Sequence, residues 1–269
     1  MSENLTSTRG RQAHAADRWP PPHPDPGPRI SVVARLATGM VVLTAVMLAI
    51  GLTLTRLDAL SGVRAWDARV EVWWAEHRTT TWNTLSHVGS SMSDTVTAVC
   101  VTVVAVVVLR LWLGRWYESW VLVVSIGGEL LYFLVLTAVV GRQRPDVPHL
   151  DAAPPTSSYP SGHVGAAVAL YVLLAVVVRR YARTSLVRVA LPPLLCLVPF
   201  VVAASRMYRG MHFPTDVLFG AVGGLAWLCV VLAVLLPRTP RRLSTWYADR
   251  MPPHETEDAA RRAGLGSAR

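Results

Sequence analysis

The sequence predicts an all-α protein in which six apolar helices cross a membrane. Of its 269 residues, 52% are hydrophobic and only 16% are charged, whereas soluble domains carry about 25% charged residues. The apolar residues form six long runs, each close to the roughly 20 residues that a helix needs to cross a bilayer core. The arginines cluster between these runs, as charges beside membrane helices do.

The six runs cover about 36–54, 95–113, 120–140, 161–178, 189–204 and 215–236. In the fifth run, Pro192 and Pro193 predict a kink. Between the first two runs, residues 57–93 form the longest connection, and its tryptophans recur at helical spacing. This spacing predicts an amphipathic helix at the membrane interface. We favour the interpretation that this helix caps the bundle over the alternative that it is a lid for a ligand.

Domain organisation and orientation follow from the same runs. Residues 1–30 are rich in proline and polar residues and are expected to form a disordered cytoplasmic tail. Residues 31–236 form the membrane domain, with a core at 95–236, and residues 237–269 form a second cytoplasmic tail. Arginines precede the first run and follow the sixth, and others lie in the second–third and fourth–fifth connections, on the same side of the membrane. Because arginines and lysines are more frequent in cytoplasmic segments, we expect both termini in the cytoplasm. We therefore expect a multi-pass protein of the cell membrane.

A Tyr-Pro-Ser-Gly-His string at 159–163 precedes the fourth run and predicts an anion site at a helix start. Ser161 is a good N-cap residue, and the proline before it ends the incoming loop. The first turn of a helix offers free backbone N–H groups and a positive dipole end. Gly162 lets an anion approach the backbone, and His163 lies in that first turn. Taken alone, this histidine is as readily a capping residue as a functional one.

A second string, between the fifth and sixth runs, contains Ser205, Arg206, His212 and Asp216. Pro214 predicts that the sixth helix begins near it, so Asp216 is expected to accept a hydrogen bond from the His212 ring. Such a bond fixes the tautomer and leaves the other ring nitrogen free as a nucleophile. The alternative is an interfacial Arg–Asp pair beside a bystander histidine. An ionisable cluster at the end of a membrane helix favours the functional interpretation.

A third string follows the third run, where Arg142 and Arg144 precede Pro145, which is expected to stop the helix. One arginine at a helix exit is commonly a membrane anchor, but two beside the other strings indicate phosphate contacts. In the middle of the same run, Glu129 is expected to make a structural polar contact within the bundle. His149 and Asp151 are expected to lie in a solvated loop.

Together the strings resemble the type 2 phosphatidic acid phosphatases (PAP2), which share a catalytic core with vanadium-dependent haloperoxidases. The family pattern is Lys, six residues, Arg-Pro; then Pro-Ser-Gly-His; then Ser-Arg, five residues, His, three residues, Asp. The matching residues, within about 95–236, are Arg144, Pro145, the string at 160–163, Ser205, Arg206, His212 and Asp216. One position departs, because Thr137 stands where the family has lysine. Arg142 is expected to supply the missing charge.

The resemblance implies an integral membrane lipid phosphatase in which His212 attacks phosphorus and forms a phosphohistidine. It implies that Asp216 orients the nucleophile and that His163 protonates the leaving oxygen and then activates water. It implies that no metal and no other cofactor is needed. The residues expected to hold the phosphate are Arg142, Arg144, Ser161, Gly162 and Arg206.

The main hypothesis is therefore a hydrolase of lipid metabolism that acts on the phosphomonoester or diphosphate of a membrane lipid. The candidate substrates are phosphatidic acid, phosphatidylglycerol phosphate and polyprenyl (di)phosphate, with the active site on the extracytoplasmic side. Membrane lipids are the expected partners, nucleic acid is not, and the oligomeric state is left open. One alternative is a non-catalytic lipid-binding or transport relative, which only Thr137 supports. The other is a haloperoxidase-like pocket that binds vanadate.

Overall fold

The computed structural model describes residues 31–235, and these confirm the predicted all-α architecture with six candidate membrane spans. No strand occurs within this part of the chain. Two shorter helices follow the first span, and the expected tails at 1–30 and 237–269 lie outside the described residues. The helices are α1 (Val32–Arg56), α2 (Ser61–Glu76), α3 (Thr80–Ser91), α4 (Thr95–Leu113), α5 (Tyr117–Val140), α6 (Gly162–Tyr181), α7 (Ser185–Tyr208) and α8 (Pro214–Leu235).

The ends of the helices follow from local chemistry. Asp94 caps α4, because its Oδ1 accepts a hydrogen bond from the Thr97 amide at 2.7 Å. Gly114 ends α4 and Gly141 ends α5, each in the left-handed conformation that suits glycine. Pro145 was expected to stop the third span, but the helix already ends four residues earlier, at Gly141. This turn at Gly141 leads the chain directly into Arg142.

Helix α7 is longer than the apolar run that predicted it. It continues from residue 204 to Tyr208 because Arg206, which ends the apolar run, has polar partners inside the bundle. Its guanidinium donates to the Ser90 hydroxyl at 3.0 Å and to Asp151 at 3.2 Å. The helix includes Pro192, Pro193 and Pro199 and continues through all three.

Helix α6 is the central span of the bundle. In its most apolar stretch 56% of the residues are buried, whereas in the corresponding stretch of α4 only 6% are. Helix α6 packs against both α7 and α8. Helix α1 packs on α5 and α8. Among the described spans, α4 makes extensive contacts only with α5. Exposed valines and leucines on the outer helices, such as Val96, Val103 and Leu111 of α4, match a lipid-facing surface. The central position of α6 places its first turn among the ends of three other spans.

The start of α6 is fixed to α8 by backbone contacts. The amide of Ser161 donates to the carbonyl oxygen of Asp216 at 3.0 Å. One turn further along α8, a Cβ atom on Gly220 would lie 2.5 Å from the carbonyl oxygen of Ser161 and 3.2 Å from its nitrogen. Because those atoms belong to backbone, they cannot move aside as a flexible side chain would. Gly220 therefore sets the distance between two of the polar strings.

We predict that Gly220→Ala lowers the thermal unfolding midpoint of the protein in detergent, because overpacking costs about 1–3 kcal/mol. Gly127→Ala is the matched control, since a Cβ at Gly127 meets nothing within 4 Å. Alanine has the higher helix propensity, so this control should unfold no earlier than the wild type. Equal midpoints for the two variants would contradict the close approach at Gly220.

Candidate active site

The three polar strings meet at one end of the bundle around a cavity of about 310 Å³. Four ionisable side chains of the strings line it: Arg144, His163, Arg206 and His212. Gly162 and Ser157 contribute to the same polar end. The rest of the wall is formed largely by apolar residues of α4 and α5, including Ala98, Val99, Ile126, Leu130 and Phe133. The cavity therefore joins a cationic end to an apolar one.

The ring of His212 is held by a backbone carbonyl, not by the carboxylate that the sequence suggested. Its Nδ1 lies 2.7 Å from the carbonyl oxygen of Ser158. A carbonyl oxygen only accepts, so Nδ1 carries the proton and Nε2 keeps its lone pair. The residue is 3% exposed and lines the cavity. The predicted free ring nitrogen is thus present, although the predicted hydrogen bond from His212 to Asp216 is wrong.

Burial lowers the pKa of His212 well below its ordinary value, and the positive charges of Arg206 and Arg144 lower it further. The hydrogen bond to Ser158 acts in the opposite direction but is the weaker effect. The imidazole is therefore neutral at physiological pH. Neutrality is what a nitrogen nucleophile requires.

The carboxylate of Asp216 is fully buried and pairs with Arg142 instead of the His212 ring. One oxygen accepts from the Arg142 guanidinium at 2.5 Å, and the other accepts from the backbone amide of Phe213 at 3.0 Å. Since Phe213 directly follows His212, Asp216 fixes the backbone beside the histidine. Asp216 thus acts on the position of His212 through the chain.

Arg142 lies in a buried ion network, so the structure does not support the direct phosphate contact expected for it. Its guanidinium also pairs with Asp67 at 2.7 Å and donates to the Thr215 hydroxyl at 2.7 Å. It stacks on the ring of Phe213, 4.4 Å from the centroid. Two carboxylates compensate its charge, and it does not line the cavity that contains His163 and His212.

Helix α2 brings an unexpected acidic face to this network. Asp67 and Glu71 are buried, whereas Trp66 and Trp73 of the same helix are about half exposed. Asp67 accepts from the amide and the hydroxyl of Thr215, and so caps the start of α8. Burial raises the pKa of Glu71 to about 9, and the charge of Asp216 adds to this effect. Two carboxyl groups four residues apart, on a helix that exposes Trp66 and Trp73, are the sequence signal that could have indicated this inward face.

Arg144 keeps its charge available to the cavity. Its guanidinium donates to the carbonyl oxygen of Met211 at 2.8 Å and to the Thr156 hydroxyl at 3.3 Å. No ion pair of Arg144 occurs within residues 31–235, and its buried Nε has no hydrogen-bond partner there. Burial lowers the pKa of Arg144, which the charge of Asp216 partly offsets. A guanidinium nonetheless stays protonated, so an anion in the cavity would be its natural partner.

Arg206 shares one carboxylate with a second arginine. Asp151 pairs with Arg206 at 3.2 Å and with Arg209 at 2.5 Å. Burial opposes the ionisation of Asp151, but the hydrogen bond and charge of Arg209 outweigh it and lower its pKa. The expectation that Asp151 lies in a solvated loop is therefore wrong, whereas His149 is exposed as expected. One carboxylate between two arginines leaves net positive charge beside the cavity.

The first turn of α6 has the predicted arrangement with one difference. Ser161 occupies the N-cap position, but its hydroxyl makes no capping bond, and its Oγ is buried without a partner among the described residues. Gly162 lines the cavity, and a Cβ there would lie 2.7 Å from the Phe133 ring. The glycine thus also serves packing. His163 lines the cavity, and its carbonyl oxygen accepts from the Ser93 hydroxyl at 2.6 Å.

The Thr137 side chain does not replace the family lysine. Its hydroxyl donates to the carbonyl oxygen of Leu134 within its own helix, at 3.2 Å. Among the described residues, no three His, Cys, Asp or Glu side chains come together as a ligand set for a metal ion. The positive charge of the cavity therefore comes from its arginines and the start of α6.

Comparison with known proteins supports the resemblance read from the motifs. Residues 118–240 match the sequence model of the PAP2 superfamily. The fold is similar to the crystal structure of a transmembrane PAP2-type phosphatidylglycerolphosphate phosphatase from Bacillus subtilis. That match has a TM-score of 0.62 and 21% identity, and covers 77% of this chain and 98% of the other. A search of curated proteins finds no match.

We predict that Asp67 and Arg142 are energetically coupled. Arg142→Met should cost about 3–5 kcal/mol of unfolding free energy, because it leaves buried carboxylates without their cation. Asp67→Asn should cost about 1–3 kcal/mol. The double variant should lose less than the sum, since both changes act on one network. Chemical unfolding in detergent measures the three values.

Arg69→Met is the control for this cycle. Arg69 lies on the exposed side of α2, so its replacement should change the unfolding free energy by no more than about 0.5 kcal/mol. Strict additivity of Arg142→Met and Asp67→Asn would show that the buried network does not hold α2 against α8.

Proposed function

Residues 118–240 carry the sequence pattern of the PAP2 superfamily, and from this premise we propose that the protein hydrolyses a lipid phosphate through a phosphohistidine. The protonation and the hydrogen bond of the His212 ring are the observation that best supports this proposal. Its ring is neutral, its Nδ1 proton is held by Ser158, and it lines a cavity together with two arginines and a second histidine. This arrangement supplies a nucleophile, a proton donor and cations for the phosphoryl oxygens.

The phosphate group binds between Arg144, Arg206 and the first turn of α6. Phosphoryl transfer concentrates negative charge on the equatorial oxygens, and fixed cations and N–H groups stabilise that charge. Arg144 and Arg206 line the cavity, and the Nε atom of each is buried without a hydrogen-bond partner among the described residues. The Oγ of Ser161, next to the cavity-lining Gly162, is also unpartnered, and we propose all three as phosphate donors. We assign no phosphate contact to Arg142, whose charge is compensated by Asp67 and Asp216.

In the first step Nε2 of His212 attacks phosphorus, and the bond from phosphorus to the lipid oxygen breaks. His163 gives its proton to that oxygen, so the lipid alcohol leaves uncharged. The ring of His212 becomes positive, and the Ser158 carbonyl holds its Nδ1 proton throughout. In the second step His163 takes a proton from water, the water oxygen attacks phosphorus, and the P–N bond breaks to release phosphate.

The apolar wall formed by α4 and α5 accepts the hydrocarbon chain of the substrate. The Bacillus relative is named for phosphatidylglycerol phosphate, which therefore stands beside phosphatidic acid and polyprenyl (di)phosphate as a candidate. Because the arginines supply the positive charge that a metal ion would otherwise bring, we propose that hydrolysis is metal-independent. We also propose that the cavity faces the extracytoplasmic side of the cell membrane.

The proposal predicts that purified protein in detergent releases phosphate from lipid phosphates and still does so in EDTA. His212→Ala should lower the rate at least about a thousandfold, because nothing replaces a covalent nucleophile. His149→Ala, an exposed histidine outside the cavity, should keep the wild-type rate. Binding of these lipids without phosphate release would favour the non-catalytic alternative, and a rate that needs added Mg²⁺ would refute metal independence.

The proposed orientation predicts the labelling of single cysteines by an impermeant thiol reagent in whole cells. The background would lack Cys100, Cys196 and Cys229. In it, His149→Cys lies at the cavity end and should react, whereas Thr184→Cys, between α6 and α7, should not. Both positions are exposed in the structure, so burial does not explain a difference. The reverse pattern would place the site in the cytoplasm.

A further inference from the structure

Glu129 is an acidic side chain in the membrane-spanning part of the cavity that the proposed reaction does not use. It lies near the middle of α5, is 4% exposed, and lines the cavity together with His163, Arg206 and His212. Within residues 31–235 no hydrogen bond or ion pair involves its carboxyl group. The structural polar contact expected for it from the sequence is therefore not formed.

Gly165 makes room for this carboxyl group. A Cβ atom added to Gly165 would overlap Oε1 of Glu129, so the carboxyl lies directly against the backbone of α6. Gly165 is two residues after His163, in the same first turns of the helix. The position of the carboxyl is thus defined by the fold, and it lies on the α6 side of the cavity.

Glu129 lies about one helical turn away from the phosphate end of the cavity. Helices α5 and α6 run in opposite directions, with Phe133 against Gly162 and Glu129 against Gly165. Four residues of α5 separate the two levels, which is about one helical turn, or roughly 5.4 Å. At the deeper level the cavity wall includes Ile126 and Leu130. A lone carboxyl group therefore faces an apolar space one turn below the proposed phosphate site.

A carboxyl group without a partner in a membrane span is costly, and a polar group of a bound ligand would remove that cost. The candidate substrates differ at this depth. A glycerolipid phosphate carries ester linkages a few bonds from phosphorus, whereas a polyprenyl phosphate carries only hydrocarbon there. A carboxyl group in its acid form donates to an ester carbonyl, and in either form it accepts from a hydroxyl.

We infer that Glu129 forms a second subsite, which hydrogen-bonds the glycerol backbone of a glycerolipid phosphate and selects it over a polyprenyl phosphate. The inference rests on the proposed function, because it assumes that the phosphate lies at the start of α6. It adds a recognition element for which neither the motifs nor the family pattern accounts.

The test compares kcat/KM for dioleoyl phosphatidic acid and for a polyprenyl monophosphate, both in the same detergent. Glu129→Leu removes the hydrogen-bonding group at similar size, and Glu129→Gln keeps a donor and an acceptor. The control is Ser125→Ala, one turn along α5, where the Ser125 hydroxyl bonds to the carbonyl oxygen of Ala169 outside the cavity. The ratio of the two kcat/KM values is the readout, because a fold defect lowers both together.

The wild type should prefer phosphatidic acid. Glu129→Leu should lower kcat/KM for phosphatidic acid about tenfold, the factor for one lost hydrogen bond, and leave or raise the value for polyprenyl phosphate. Glu129→Gln should keep most of the preference, and Ser125→Ala should leave the ratio unchanged.

A Glu129→Leu variant with an unchanged ratio would overturn the inference alone, as would a wild type that prefers polyprenyl phosphate. Hydrolysis of neither lipid by the wild type would instead overturn the proposed function, and the inference with it.

Discussion

The guanidinium of Arg142 joins parts of the chain that are far apart in sequence, and the geometry of the cavity depends on that junction. It pairs with Asp67 of α2 and Asp216 of α8, and it follows directly after α5. Three buried charges are costly unless each is paired. The chain therefore has one arrangement at this end in which all three are satisfied. That arrangement fixes the start of α8 and, through the Phe213 amide, the residue next to His212.

The remaining arginines are less completely compensated, and this imbalance defines the chemistry of the site. Arg206 and Arg209 share the single carboxylate of Asp151, and Arg144 has no ion pair among the described residues. The surplus positive charge lies beside the cavity, where it adds to the effect of burial in lowering the pKa of His212 and attracts an anion. The same charges would thus serve both requirements of the histidine nucleophile that we propose for this site.

The sequence was sufficient for the spans and for the four ionisable motif residues that line the cavity, because both follow from local patterns, but it did not predict that Arg142 lies outside the cavity and Glu129 within it. Runs of about 20 apolar residues predict membrane helices, and the motif spacing brought His163, Arg144, Arg206 and His212 to one cavity. The sequence did not predict which partner each side chain has. The carbonyl of Ser158 that holds His212 could not be foreseen, since any residue has a carbonyl. The pairing of Arg142 with Asp67 also could not be predicted, because it depends on how α2 packs. The tryptophans of α2 indicated an interfacial helix but not its buried acidic face.

Trapping the covalent intermediate tests the central claim most directly. In the proposed mechanism Ser158 holds the Nδ1 proton of His212 and leaves Nε2 as the nucleophile. Acid-sensitive phosphohistidine would be trapped by rapid mixing with a radiolabelled lipid phosphate and mapped by mass spectrometry. The account predicts a phosphoryl group on Nε2 of His212, with none in His212→Ala. A label on Nδ1 of His212, on His163 or on a serine would contradict it.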